Sequence, residues 1–162
     1  MKQKVLLIVG ILLTISLAVG LLNQPTVDDV MFDFHLANDR AEEMLIDPLI
    51  LHRDLIKERV IQDVQNPAMD KRRYAIGFLG VAKIHEALPA LEQILQNEQE
   101  LDCFRADALV SVFQIHDEKG KALSRTYFQR NGYLGWIAAG LLDGSHIPFT
   151  RTKFEAFFGS KY

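Results

Sequence analysis

The sequence predicts an all-α fold built from repeated helical pairs, and three observations support this prediction. Apolar residues recur at spacings of three and four from residue 30 onward, and the period-two alternation of half-buried strands is absent. Short breaks rich in Pro, Gly, Asn and Asp separate these runs, as is typical of helix ends. Similar stretches also recur at an offset of 31 residues. We expect eight helices, approximately at 30–45, 48–64, 70–83, 86–96, 100–114, 118–129, 133–142 and 149–158.

The first element is an uncharged, almost wholly apolar stretch, residues 5–22, which comes after Lys2 and Lys4. Such a stretch is typical of a secretory signal peptide or an N-terminal membrane anchor. Its 18 residues reach the lower limit for spanning a bilayer, which favours an uncleaved anchor, although the small-x-small triplet at 18–20 would permit cleavage. The two lysines favour a cytoplasmic N-terminus. Residues 1–23 are therefore expected to be a signal peptide or transmembrane anchor.

The chain beyond residue 23 is expected to be exported. An anchored chain would face the periplasm or extracytoplasmic space from the inner membrane, and a cleaved chain would be secreted to the periplasm. Residues 24–29 form a short polar stretch that predicts a linker, so the helical domain is expected to occupy 30–162.

Charge is distributed unevenly along the exported part. Residues 24–47 hold seven acids against one arginine, whereas residues 121–162 hold six bases against two acids. The whole chain has a net charge of −3, which argues against nucleic acid, whose binding depends on clustered cations. The asymmetry could instead steer a protein partner or a second copy of the chain.

The repeat is clearest between residues 72–97 and 103–131, and a third copy begins at residue 133. One helical pair cannot bury its apolar face alone, so neighbouring pairs must stack. Small residues at matching positions would let the first helix of each pair approach its neighbour closely. They form two rows: Ala75, Ala106 and Ala138, and then Gly77, Ala108 and Gly140.

The stretch "RRYAIGFLG…HEALPALEQIL" resembles the HEAT-like repeat, in particular the short variety described in phycobilisome lyases. Its first helix ends in Leu-Gly, and a brief turn leads to an Ala-x-x-x-Leu second helix. The matching residues are Arg73, Ala75, Leu79, Gly80, Ala87 and Leu91. The resemblance is good over 70–97, weakens through 101–130 and is weak over 133–158. It implies a short right-handed α-solenoid of three to four helical hairpins, whose second helices line a concave, protein-binding surface.

Two regions are candidates for that binding. One is the face of the second helices, and the other is the C-terminal end, where nine of the fifteen aromatic residues lie among arginines. Aromatic and arginine side chains are enriched at protein interfaces, although a terminal repeat also needs apolar residues to close its core. The candidate residues are Gln93, Gln96, Arg125, Gln129, Arg130, Tyr133 and Trp136, and we expect Tyr133 and Trp136 to form an exposed pair.

Two histidine–acid pairs, His85-Glu86 and His116-Asp117, are the nearest the sequence comes to a metal site. Deoxyhypusine hydroxylases, which are HEAT-like enzymes, bind di-iron through repeated His-Glu pairs, but there the pair opens the first helix. Here both pairs lie in the turn within a repeat, where the acid favours the positive end of the following helix dipole. We therefore expect neither metal nor cofactor. Gly-rich phosphate loops, Cys-x-x-Cys and Gly-x-Ser-x-Gly are absent, and the lone Cys103 is expected to be a buried apolar residue.

The sequence thus predicts a non-catalytic protein-binding or scaffold module of the cell envelope. Its partner is expected to be another protein, with the membrane as a second partner if residues 5–22 are not cleaved. Two alternatives stay open. One is a solenoid enzyme or lyase-like accessory with a metal or cofactor at the two histidine–acid pairs. The other is a self-assembling structural protein, in which the acidic end of one copy meets the basic end of another.

Overall fold

The structure is a computed structural model that describes residues 24–38 and 40–159. These residues form nine α-helices, the two 3₁₀ turns Glu42–Met44 and His85–Ala87, and no strand, which confirms the predicted all-α class. The helices are α1 (Val27–Leu36), α2 (Asp47–Leu51), α3 (Arg53–Asp63), α4 (Arg72–Val81), α5 (Leu88–Gln96), α6 (Asp102–Ile115), α7 (Asp117–Tyr127), α8 (Tyr133–Asp143) and α9 (Lys153–Phe158). The apolar stretch 5–22 lies outside the described residues. None of the helices within them is long and apolar enough to cross a bilayer.

Helix α1 begins and ends earlier than the predicted helix at 30–45. Thr26 and Asp29 form a capping box: the Asp29 N–H donates to the Thr26 hydroxyl at 3.2 Å, and the Thr26 N–H donates to the Asp29 carboxylate at 2.9 Å. These reciprocal bonds start the helix at Val27, inside the expected linker. At the other end, Lys71 Nζ donates to the Phe34 carbonyl oxygen at 2.8 Å, which satisfies that carbonyl without a further helical turn.

The single helix predicted at 48–64 is divided in two at His52. The backbone there has φ −114° and ψ 27°, which interrupts the helical geometry between α2 and α3. The short α2 that results packs against α1, α3 and α9. It therefore joins the two ends of the described chain.

Helices α4 to α8 form the main packed body, with α6 at its centre. We call α4, α6 and α8 the first helices and α5 and α7 the second helices, and α6 packs against the other four. Leu79 of α4, Leu109 of α6 and Leu134 of α8 are fully buried in the core between them. Burying each such side chain contributes about 1.5–3 kcal/mol. The stacking of these helices therefore produces one continuous apolar core.

Two buried arginines tie successive helices together. Arg72 donates from Nε to the Val64 carbonyl oxygen at 2.7 Å, and its Nη1 lies 2.7 Å from Glu100 Oε2 in an ion pair that is almost fully buried. Arg105 donates from Nε to the Leu95 carbonyl oxygen at 2.8 Å. Both carbonyls lie at helix ends, where the helix itself offers no partner. Each arginine thus fixes the start of a first helix against the end of the preceding helix.

One member of the two rows of small residues does not play the expected part. Gly77 was expected to permit close helix approach, and this is wrong, because a Cβ there would meet no atom within 4 Å. The close approach of α4 and α6 lies at Gly80, where a Cβ would stand 2.6 Å from Ser111 Cα. In the other row all three alanines are fully buried: Ala75, Ala106 and Ala138.

The C-terminal helix α9 packs against α2 instead of completing a third helical pair with α8. Residues 144–152, the C-terminal strap, lead from α8 to α9. Within the strap, Arg151 donates from Nε and Nη2 to the two carboxylate oxygens of Asp47, each at 2.7 Å, and both residues are buried. One acid of the N-terminal region and one base of the C-terminal region therefore meet within a single molecule.

Candidate functional site

The seven residues predicted to bind a protein are at least partly exposed, but they lie on different elements. They are Gln93 and Gln96 on α5, Arg125 on α7, Gln129 and Arg130 in the turn after α7, and Tyr133 and Trp136 on α8. The two glutamines border a shallow hollow beside the end of α5. Arg130 lies 3.9 Å from an exposed carboxylate of Glu98, a weak surface ion pair.

Tyr133 and Trp136 form an exposed aromatic pair at the start of α8. Their ring centroids are 5.7 Å apart, and the two residues are 37% and 66% exposed. His146 of the strap presents its ring edgewise to Trp136, with 6.4 Å between the centroids. Burial lowers the pKa of His146. The structure thus brings helix and strap aromatics together on one surface.

A cleft of about 410 Å³ opens beside this aromatic pair. It is bounded by the first helices α4, α6 and α8, by the strap and by the Glu42–Met44 turn, and we call it the first-helix cleft. Its volume lies in the range of sites that hold a small ligand or the side chains of a partner. Tyr133 lines the cleft, whereas Gln93 and Gln96 lie elsewhere.

Much of the cleft lining is apolar. Its apolar and aromatic side chains include Ile46, Val81, Val110, Ile137, Ile147 and Phe149. Gly77 of α4 also borders the cleft, and the open space beside it is part of the cleft volume. Ile147 is 85% exposed, so the strap leaves a large apolar side chain at the cleft mouth. The glycine that contributes nothing to helix packing therefore keeps the cleft open.

The polar centre of the cleft is an ion pair that joins two first helices. Arg73 of α4 donates from Nε to Asp107 Oδ2 of α6 at 2.9 Å. Burial raises the pKa of the Asp107 carboxyl group to about 6, while the Arg73 guanidinium opposes this rise. Asp107 is therefore a carboxyl group that titrates close to neutral pH inside the cleft.

The cleft border is acidic on the side of the Glu42–Met44 turn. The Tyr74 hydroxyl donates to Glu42 Oε1 at 3.0 Å, and burial together with this bond raises the pKa of Tyr74. Glu43 also lines the cleft. With Asp107 ionised, the described residues that line this opening place three carboxylates around one guanidinium, that of Arg73.

The strap is fixed in place at both ends. Gln114 Nε2 of α6 donates to the Phe149 carbonyl oxygen at 2.6 Å, and the His146 N–H donates to the Gly140 carbonyl oxygen at 3.0 Å. The buried pair of Arg151 and Asp47 holds the far end. The strap, which forms one wall of the cleft, is thus bonded to α6, α8 and α2.

The two histidine–acid pairs lie in exposed turns and already have local partners. Glu86 pairs with Lys57 of α3, and Asp117 pairs with Lys121 at 2.7 Å. His116 Nδ1 accepts the Lys119 N–H at 3.3 Å, so this histidine caps α7. Among the residues that the structure describes, no three His, Cys, Asp or Glu side chains are gathered as a metal-ligand set. Cys103, expected to be buried, is partly exposed.

No family model matches this chain, and neither a curated protein nor a solved structure matches it.

The cleft was not predicted, because binding was expected at the second helices or at the aromatic C-terminal end, and of the seven candidate residues only Tyr133 lines the cleft. The residues that border the cleft come mainly from first helices, whose periodicity predicts burial. One signal was present: Arg73 and Asp107 carry opposite charges on successive first helices, 34 residues apart. The other walls come from the turn after α1 and from the strap, and only tertiary packing brings these segments together.

Proposed function

We propose that this chain is a non-catalytic protein-binding or scaffold module, and that the first-helix cleft with the adjoining pair of Tyr133 and Trp136 is its binding site. The observation that carries this proposal is the cleft itself, a preformed and largely apolar opening beside an exposed aromatic pair. Partly exposed Trp and Tyr side chains next to a pocket are typical anchors of protein interfaces. The binding surface is therefore assigned to first helices and strap, and the second-helix residues Gln93 and Gln96 lie outside it.

The chemistry of the cleft favours one class of partner segment. Its apolar walls suit an aliphatic or aromatic side chain, and the carboxylates of Glu42, Glu43 and Asp107 suit a neighbouring cation. We therefore propose a protein segment that carries an apolar residue next to Lys or Arg. Such a segment would bind more weakly at high salt, since screening reduces the attraction of exposed charges.

The arrangement of the proposed module is a HEAT-like α-solenoid, and its proposed location is the cell envelope. The packing of α6 between α4 and α8 supports the solenoid arrangement, since a solenoid stacks its repeats on nearest neighbours. The apolar stretch 5–22 after two lysines supports the envelope location. We propose that this stretch anchors the chain in the inner membrane with the helical domain on the extracytoplasmic side.

The test is a variant that fills the cleft without disturbing the core. Gly77→Met directs a flexible apolar side chain from α4 into the open space, where a Cβ meets no atom within 4 Å. Recovery of the partner by crosslinking and pull-down from envelope membranes should fall about tenfold, a loss of about 1.4 kcal/mol in binding. Trp136→Ala should weaken recovery in the same direction, because it removes an exposed anchor.

The matched control places the same side chain on a second helix. Ala122 of α7 is exposed, so Ala122→Met should leave recovery unchanged. The denaturant concentration at which each variant is half unfolded should equal or exceed that of the original chain. Recovery that survives Gly77→Met but is lost with Ala122→Met would assign binding to the second helices and refute the cleft.

A further inference from the structure

Helix α9 presents a cluster of three exposed phenylalanines. Phe154, Phe157 and Phe158 are 70%, 72% and 62% exposed, and we call them the phenylalanine cluster. Their rings touch one another, with centroids 4.6 Å apart for Phe154 and Phe158 and 4.9 Å for Phe157 and Phe158. The spacing of three and four residues puts them on one face of the helix. A contiguous apolar face of this kind marks an interaction surface.

The orientation of α9 is the reverse of an ordinary surface helix. The residue of α9 that packs against the core is the small Ala156, while the large apolar side chains point away. An amphipathic helix normally buries its large apolar face against the protein. Closing the core therefore does not account for these three aromatic residues.

The helix that carries the cluster is held firmly. Thr152 and Glu155 form a capping box at its start, and the buried pair of Arg151 and Asp47 fixes the residue just before the cap. Helix α9 also packs against α2. The phenylalanine cluster is thus presented on an anchored element.

The position of α9 relative to α1, the helix that follows the N-terminal stretch in sequence, favours a membrane as its partner. Both α1 and α9 pack against α2, and packed helices lie about 8–10 Å apart, so the axes of α9 and α1 are separated by at most roughly two such distances where they contact α2. Four residues, 23–26, connect α1 to the apolar stretch 5–22 and can span no more than about 14 Å. A bilayer entered by residues 5–22 would therefore lie within reach of the phenylalanine cluster.

A second copy of the chain fits the cluster less well. Three exposed phenyl rings offer roughly 400 Å² of contact area per copy, whereas a stable interface needs about 800 Å² from each partner. A membrane contact has no such requirement when the chain is already anchored, because the cluster then only adds to an existing attachment.

We propose that α9 lies on the membrane surface, with the phenylalanine cluster inserted at the boundary between headgroups and acyl chains, and that this contact fixes the orientation of the domain above the bilayer. The inference rests on the membrane anchor proposed for residues 5–22. It adds a second attachment site, 132 residues away in sequence from Leu22 at its nearest member, Phe154.

The experiment uses the full chain in vesicles of phosphatidylcholine and phosphatidylglycerol, with and without bromine on the acyl chains. Cys103→Ser removes the native thiol, and Phe158→Cys then carries an environment-sensitive fluorophore. The brominated lipid should quench about half of the fluorescence or more, as expected for a probe at acyl-chain depth. The same fluorophore at Gln96→Cys, an exposed position on α5, should lose little of its signal.

A second set of variants shows whether the phenyl rings cause the contact. With the fluorophore at Lys153→Cys, the brominated lipid should quench the fluorescence while the three phenylalanines are present. Replacing all three by serine should abolish this quenching. These side chains are exposed, so the fold should be retained, which circular dichroism checks.

The outcomes separate this inference from the anchor. If the chain resists a carbonate wash but the fluorophore at residue 158 is not quenched, the anchor stands and the contact of α9 with the membrane is refuted. If the wash releases the chain, the anchor fails, and the inference that rests on it is overturned with it. Excimer emission between pyrene labels at residue 158, without lipid quenching, would assign the cluster to a second copy and overturn the proposal.

Discussion

Asp107 is a carboxyl group whose environment raises its pKa well above the ordinary value. Its pKa lies at about 6 because the first-helix cleft buries it, and Arg73 prevents a still larger rise. The folded state therefore holds the Asp107 proton more tightly than the unfolded chain, in which the pKa is that of a free side chain, 3.8. The stabilising contribution of this group to the free energy of unfolding is present in full below the pKa of the unfolded chain. It is lost as pH rises through the pKa of the folded state, about 6.

The first prediction concerns the pH dependence of this contribution. The difference in unfolding free energy between the original chain and Asp107→Asn should fall as pH rises from about 4 to about 6, and should be flat above about 7. Urea unfolding at several pH values measures it. Arg73→Gln should extend the fall to higher pH, because the guanidinium lowers the pKa of Asp107. A difference that stays constant from about pH 4 to 7 would contradict the raised pKa.

At the scale of the elements, two glycines of α4 offer a matched pair. Gly80→Ala would put a Cβ 2.6 Å from Ser111 Cα, where backbone of α6 must move. Gly77→Ala adds the same methyl group to open space in the same helix. We predict that Gly80→Ala destabilises the fold by about 1–3 kcal/mol, and that Gly77→Ala stabilises it by about 0.5–1 kcal/mol, because alanine is the better helix former.

Urea unfolding of the two variants beside the original chain checks this prediction. Equal effects of the two substitutions, or a loss of stability with Gly77→Ala, would show that the approach of α4 and α6 is not where the structure has it.

The elements also show how far the sequence could be interpreted. The helices of the repeated stretch, α4 to α8, lie within about two residues of their predicted positions, because local periodicity and caps determine them. The prediction for the N-terminal part was wrong. The capping box at Thr26, the break at His52 and the bond from Lys71 to the Phe34 carbonyl decide the ends of α1 and α2, and the third of these joins residues 37 apart.

The site was less predictable than the fold. Composition and spacing predicted that Tyr133 and Trp136 form an exposed pair, and the structure confirms this exposure. The cleft beside them depends on the contact of Gln114 with Phe149 and of Asp47 with Arg151, the latter across 104 residues. Periodicity in a single sequence carries no information on contacts of that range.

At the scale of the whole molecule, the pair of Asp47 and Arg151 joins the two ends of the described chain. Its side chains are 5% and 4% exposed, and two hydrogen bonds of 2.7 Å connect them. Removing one partner would leave an uncompensated buried charge. We predict that Asp47→Ala lowers the unfolding free energy by about 3–5 kcal/mol.

The double variant Asp47→Ala, Arg151→Met should lose less than the sum of the two single losses, since neither charge is then left alone. Limited proteolysis should cut the strap faster in each single variant. The exposed pair of Lys121 and Asp117 is the control, and Lys121→Met should cost less than about 0.5 kcal/mol. Additive losses at residues 47 and 151 would show that the two residues do not interact in solution.

The central claim for the whole molecule is that an anchored helical domain receives a protein segment in its first-helix cleft. Photo-crosslinking of the full chain in the cells that produce it tests this most directly, with a benzophenone amino acid at Ile147 beside the cleft or at Gln93 on α5. We predict a discrete crosslinked protein from position 147 that disappears with Gly77→Met, and none from position 93. A product from position 93 alone, or one from position 147 that Gly77→Met leaves unchanged, would contradict the claim.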